Sequence, residues 1–136
     1  MAIRVGWYPI FAVLITLLCL LGGCNTTNTI APFSPEIVNK PDSFSFQITD
    51  ARSVTWVHEY LWTNSGTMAS VDQSPSAGAS GTATLTLLDN SGTTVLVHDL
   101  KVDGVYDSQS GVNGQWKIRV AITSYSGTLN FRVQKK

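Results

Sequence analysis

Strict alternation of apolar and polar residues is the dominant pattern of this 136-residue chain after position 42. A period of two is that of a β-strand with one buried face, and no segment after this position shows the 3.6-residue period of an amphipathic helix. The pattern therefore predicts an all-β domain in which each strand buries one face. The clearest examples are residues 44–48, 82–88 and 116–122.

Turn sequences divide the alternating segments into seven or eight strands. Residues 82–88 and 93–100 flank an Asp-Asn-Ser-Gly turn, which predicts a hairpin. Residues 116–122 and 129–133 flank a Ser-Tyr-Ser-Gly turn, which predicts a second hairpin. Short strands at this spacing favour an antiparallel two-sheet β-sandwich.

The first 24 residues differ in character from the rest of the chain. Arg4 lies near the start, residues 10–21 form an apolar block, and a Gly-Gly-Cys sequence follows. This order is typical of a secretory signal peptide over residues 1–23. The block is shorter than the ~20 residues that a helix needs to cross a bilayer. If extended back through Trp7 it nearly reaches that length, so a retained membrane helix is the alternative.

The sequence Leu21-Gly22-Gly23-Cys24 resembles the lipobox of bacterial lipoproteins. The resemblance implies cleavage between Gly23 and Cys24 and attachment of a lipid to the nucleophilic thiol of Cys24. Two or more acyl chains anchor a protein stably, because each buried methylene contributes roughly 0.8 kcal/mol. Asn25 at the next position is the pattern associated with the outer membrane. The resemblance thus implies a lipid-anchored protein of the bacterial cell envelope.

The organisation after the lipobox is that of one small domain on a tether. Pro32, Pro35 and Pro41 predict that residues 24–41 form a lipidated N-terminus and an extended, flexible tether, followed by a β-sandwich over residues 42–136. Only two cysteines occur, and neither Cys19 in the signal nor lipidated Cys24 is left to form a disulfide in the domain.

Charge excludes one class of partner. Only 13% of residues are charged, against a typical ~25%, and nine basic residues balance nine acidic ones. The chain therefore lacks the basic excess that nucleic-acid binding requires.

The segments Gly114–Val120 and Ser126–Phe131 carry a second resemblance. They are similar to the ending of pre-peptidase C-terminal and proprotein-convertase P domains, which are small β-sandwiches appended to secreted proteases. This sequence departs from those families in having only a tight turn between the two segments. The resemblance therefore implies the fold and not the protease context.

An aromatic cluster in the segment 54–63 is the candidate binding surface. Trp56, Tyr60 and Trp62 share one face of a predicted strand with His58, and exposed rings can stack on sugars or enter apolar clefts. The alternative is that this face is core, and alternation favours it because the opposite face has few apolar residues. Trp116 is expected in the core.

Residues for catalysis or metal binding are not recognisable. His58 and Glu59 are adjacent, as are His98 and Asp99, so each pair points to opposite faces of a strand. A zinc site would need both histidines and a carboxylate. Aspartates at 99, 103 and 107 lack the spacing of a compact calcium loop, which favours solvated turn carboxylates.

A Gly-x-Ser-x-Gly elbow and a phosphate-binding loop are absent from the sequence. We therefore predict no catalytic residues, metal or cofactor.

The sequence predicts a lipid-anchored envelope lipoprotein whose non-catalytic β-sandwich binds a partner protein or a glycan. One alternative is a structural envelope lipoprotein without a dedicated ligand. A remote alternative is a small hydrolase or metal-dependent enzyme.

Overall fold

The computed structural model describes residues 34–136, and every regular element in that range is a β-strand. All strand pairs are antiparallel. None of these residues belongs to a helix that is long and apolar enough to cross a membrane. The strands are β1 (Glu36–Lys40), β2 (Ser43–Asn64), β3 (Ala69–Gln73), β4 (Ser80–Leu88), β5 (Thr94–Asp99), β6 (Gly104–Asp107) and β7 (Gly114–Lys135).

The two 22-residue strands β2 and β7 form a bent ribbon along the whole domain. They pair from Ser43 opposite Gln134 to Asn64 opposite Gly114, with register shifts between Ile48 and Trp56. Such β-bulges bend a strand and increase its twist. Each long strand therefore contributes its two halves to two different sheets.

The two sheets share this ribbon and enclose one core. The first sheet has the order β1-β2-β7-β3-β6 and uses the N-terminal half of β2. The second sheet has the order β2-β7-β4-β5 and uses the C-terminal half of β2. Phe46 stacks on Phe131 in the core, with ring centroids 5.0 Å apart. The predicted all-β class and the antiparallel two-sheet arrangement are confirmed, with seven strands in the described residues.

The predicted hairpin at residues 82–100 is confirmed, whereas the one at residues 116–133 is wrong. β4 and β5 pair with Leu85 opposite His98. By contrast, the Ser-Tyr-Ser-Gly segment lies inside β7, which continues through it. Ser124 and Gly127 adopt φ values of 47° and 136°. These residues kink the strand without reversing it, because β2 pairs with β7 on both sides of the kink.

The predicted boundary between tether and domain also differs from the structure. β1 lies within the predicted tether of residues 24–41 and pairs with β2, with Ile37 opposite Phe46. Pro35 and Pro41 flank this strand and do not interrupt it, as is usual for a strand at a sheet edge. The folded domain therefore begins before residue 42.

Two aspartates bind the turns to the sheets. The carboxylate of Asp42 accepts hydrogen bonds from the N–H of Ser65 at 2.7 Å and from Lys135 Nζ at 3.0 Å, and the first of these contributes most to its lowered pKa. Asp89 accepts hydrogen bonds from the β4–β5 turn and from the N–H of Val112 at 2.8 Å. The hydroxyl of Ser91 and these N–H donors lower the pKa of Asp89 to about 2.

Candidate functional site

Three rings at the edge of the second sheet form a partly exposed surface, which we call the aromatic ridge. Its residues are Trp56, His58 and Tyr60, which alternate along β2 and project from the face that bears the core. His58 is exposed, and Trp56 and Tyr60 are half-buried. Trp56 and His58 stack with ring centroids 5.4 Å apart and planes inclined by 14°, and His58 lies 4.6 Å from Tyr60.

The ridge is partly exposed because β2 is the edge strand of the second sheet. β1 covers β2 only as far as Gln47, so it pairs with the other half of the strand. Core rings support the ridge from below, with Phe44 5.2 Å from Tyr60 and Phe46 6.1 Å from Trp56. The rings are therefore held by packing on one side and face solvent on the other.

Trp62 lies in the core and is removed from the candidate binding surface. Its side chain is 1% exposed, its Nε1–H donates to the carbonyl of Lys40 at 3.2 Å, and its ring meets Trp116 edge-on at 6.0 Å. The turn between β1 and β2 covers this end of the strand. Trp116 is also fully buried, as expected. His58, which the sequence placed on the same face, occupies the exposed position instead.

The phenol of Tyr60 and the rings beside it can act as a contact surface. Burial raises the pKa of Tyr60 to about 12, so its phenol stays neutral at physiological pH. Glu59 and Lys117, whose charged atoms are 4.0 Å apart, project from the opposite face of the sheet. An aromatic surface of this kind can stack on a sugar ring or pack against apolar side chains.

The two histidines lie at opposite edges of the second sheet. His58 is on β2 and His98 on β5, with β7 and β4 between them, which separates their strands by about 14 Å at the usual strand spacing. The rings of His98 and Tyr106 are tilted by 34° with centroids 3.6 Å apart, and the buried Nε2 of His98 has no hydrogen-bond partner among the described residues. One ion cannot contact both imidazoles. Within residues 34–136 no group of three metal-ligating side chains is close enough to hold an ion.

The aspartates of the β5–β6 region bind neighbouring groups separately. Asp99 accepts a hydrogen bond from the N–H of Lys101 at 2.9 Å, and Asp107 pairs with Lys136. The hydrogen bond from Lys136 contributes most to the lowered pKa of Asp107. These contacts fit the interpretation of the aspartates as turn carboxylates.

No protein-family model matches the chain, and no curated protein matches it. The predicted cleavage site at Gly23 and the predicted lipidation site at Cys24 lie outside the described residues. The candidate function therefore depends on the aromatic ridge and on the N-terminal sequence.

Proposed function

We propose that this protein is a lipid-anchored lipoprotein of the bacterial cell envelope, at the outer membrane, whose β-sandwich binds an envelope protein or a glycan and catalyses no reaction. The lipobox-like sequence ending at Cys24 supports the anchor. The aromatic ridge supports the binding role and is the observation on which the proposal depends.

The ridge has the properties of a contact surface. Aromatic side chains have few rotatable bonds, so little conformational entropy is lost when they are covered. Here the loss is smaller still, because Phe44 and Phe46 already pack against the ridge. Covering the exposed parts of the rings would remove apolar area from water, at roughly 25 cal/mol per Å².

Site-specific photocrosslinking in membranes tests the binding role. A photoreactive residue is placed at His58 on the ridge and, as the matched control, at Arg119 on the outer face of the same sheet, where the side chain is also exposed. We expect a discrete adduct with an envelope protein or a glycan from position 58 and none from position 119. Adducts at neither position would contradict the binding role and favour a structural envelope lipoprotein without a dedicated ligand.

Substitution of the ridge provides an independent test. Replacing His58 with Ser removes an exposed ring that no hydrogen bond of the described residues holds in place, so the fold should remain intact. We expect retention of the partner to fall while the melting temperature changes little. Unchanged retention in the folded variant would show that the ridge does not contact the partner.

A further inference from the structure

The edge of β2 beside the aromatic ridge exposes backbone groups that no neighbouring strand binds in the described part of the chain. The N–H and C=O of one strand residue point to the same side, and the side alternates along the strand. The carbonyl of Leu61 accepts a hydrogen bond from Asn39 Nδ2 at 2.9 Å, and that of Thr63 accepts one from the N–H of Asp42 at 2.8 Å. These two residues therefore point away from β7. By alternation, Val57 and Glu59 do so as well.

The direction of the backbone groups can be followed from β2 through β7 and β4 to β5, the strand at the other edge of the second sheet. The alternation predicts that Val95 and Asp99 on β5 direct their backbone groups away from β4. The carbonyl of Val95 indeed accepts a hydrogen bond from the N–H of Gln109 at 2.9 Å, and that of Asp99 accepts one from Gln73 Nε2 at 2.9 Å. The outer side of β5 is thus covered by other residues of the domain, whereas no strand among residues 34–136 pairs with the outward backbone groups of Val57 and Glu59.

The other edge strands carry features that discourage pairing with another chain. Charged residues, prolines and short length protect a sheet edge. β1 is flanked by Pro35 and Pro41 and ends in Lys40, and β6 has only four residues and ends at the ion-paired Asp107. The part of β2 from 56 to 60 contains Glu59 and no other aspartate, glutamate, lysine or arginine.

We propose that two copies of this chain pair through this edge, with β2 antiparallel to β2 of the second copy and Val57 on the two-fold axis. The proposal deepens the proposed function, because it assigns a partner to the edge that carries the ridge. The two Val57 residues exchange their N–H···O=C hydrogen bonds. Trp56 of one copy then lies directly opposite His58 of the other, at the closer type of antiparallel pair.

The side chains favour a second copy in this register. Glu59 lies opposite the neutral Thr55 of the second copy, and the partly exposed rings of Trp56 and His58 cover one another. Cross-strand aromatic pairs stabilise antiparallel strands, and like charges directly opposite each other destabilise them. A register centred on Glu59 would place two carboxylates together, so Val57 is the favoured centre. Anchoring both copies to one membrane would raise their effective concentration.

Cysteine crosslinking of the full chain in membranes tests this pairing. Val57→Cys places two thiols at a hydrogen-bonded antiparallel position, where the Cα atoms are about 5.5 Å apart and within disulfide range. Val97→Cys is the matched control, since Val57 and Val97 are 53% and 61% exposed on the outer face of the same sheet. The wild-type chain controls for Cys19 and Cys24. We expect a disulfide-linked dimer from Val57→Cys under mild oxidation and none from Val97→Cys.

A second substitution tests whether backbone pairing holds the dimer. Glu59→Pro, added to Val57→Cys, removes an N–H that points away from β7 and leaves the β2–β7 hydrogen bonds in place. Both copies carry the substitution, so two hydrogen bonds are lost, and the association constant should fall roughly tenfold while the circular dichroism spectrum is retained.

Three results would overturn the pairing: equal dimer yields from Val57→Cys and Val97→Cys, no dimer from Val57→Cys, or a yield unaffected by Glu59→Pro. These results test the pairing and not the proposed function, which the photocrosslinking experiment tests. If the dimer is absent but position 58 still yields a photoadduct with a different molecule, the ridge binds a partner and only the pairing is wrong.

Discussion

Trp56 and Trp62 form a matched pair for testing whether the aromatic ridge is surface or core. They are the same residue type on the same face of β2, but Trp62 is 1% exposed and Trp56 is half-buried. Each is replaced with Ala in an otherwise unchanged chain. The difference between the two losses of unfolding free energy then measures how far the ridge belongs to the core.

The expected losses follow from the contacts of each ring. Truncation of a buried Trp costs about 3–5 kcal/mol. For Trp62 this cost includes the edge-on contact with Trp116 and the hydrogen bond from Nε1 to Lys40. We therefore expect about 4 kcal/mol for Trp62→Ala. Trp56→Ala opens a space that water can enter, and it loses only part of the transfer free energy, so we expect about 1–2 kcal/mol.

Urea denaturation followed by far-ultraviolet circular dichroism measures both losses. For a small domain with a slope of about 1–3 kcal/mol per molar urea, the midpoint for Trp62→Ala should fall by roughly 2 M, and that for Trp56→Ala by about half as much or less. If Trp62→Ala does not fold, Trp62→Phe removes the indole hydrogen bond and should cost about 1–2 kcal/mol. Equal losses for Trp56→Ala and Trp62→Ala would refute the assignment of the ridge as surface.

Two further predictions concern the turns. Asp89→Asn should lower the melting temperature at pH 7, because the amide cannot accept all the hydrogen bonds that the carboxylate accepts from the turn and from Val112. Since the pKa of Asp89 is lowered from 3.8 to about 2, its contribution is present above pH 4 and lost as the pH falls towards 2. Acid titration of stability should therefore be shallower in the variant, and an identical acid limb would contradict this. Gly127→Ala should cost about 3 kcal/mol in urea denaturation, because φ is 136° and the new Cβ would lie 2.8 Å from Ser76 Oγ. Gly92→Ala, at φ 82° with open space around it, is the control and should cost about 1 kcal/mol.

Alternation along the chain was sufficient to predict the fold class and the buried face of most strands. Phe44, Phe46 and Ile48 are buried as the period of two requires, and the Asp-Asn-Ser-Gly turn does join β4 to β5. These features are local, because side-chain direction and turn geometry depend on a few neighbouring residues. Local sequence was therefore informative wherever local geometry decides the outcome.

The bend of β7 could not be predicted in this way. A residue with positive φ can either reverse a chain or kink it, and the sequence of residues 124–127 is compatible with both. Which of these occurs depends on the pairing of β7 with β2 on both sides of the kink, which joins residues far apart in the sequence. The strand β1 was missed for a similar reason, because its five residues gain their conformation from pairing with β2.

The candidate site was predicted in part. Alternation placed Trp56, His58, Tyr60 and Trp62 on one face, and the structure agrees. Alternation does not show where along a strand that face is covered. The β1–β2 turn buries Trp62, whereas the first half of the same segment is left at the edge of the sheet. The sequence analysis therefore left His58, the exposed ring of this face, out of the candidate binding residues.

Intact-mass spectrometry of the protein extracted from bacterial membranes tests the lipid anchor most directly. Our account predicts a polypeptide that begins at Cys24 and carries a diacylglyceryl group on its thiol, with the increased mass confined to the N-terminal peptide. A protein that retains Met1, or one that has an unmodified thiol at Cys24, would contradict it.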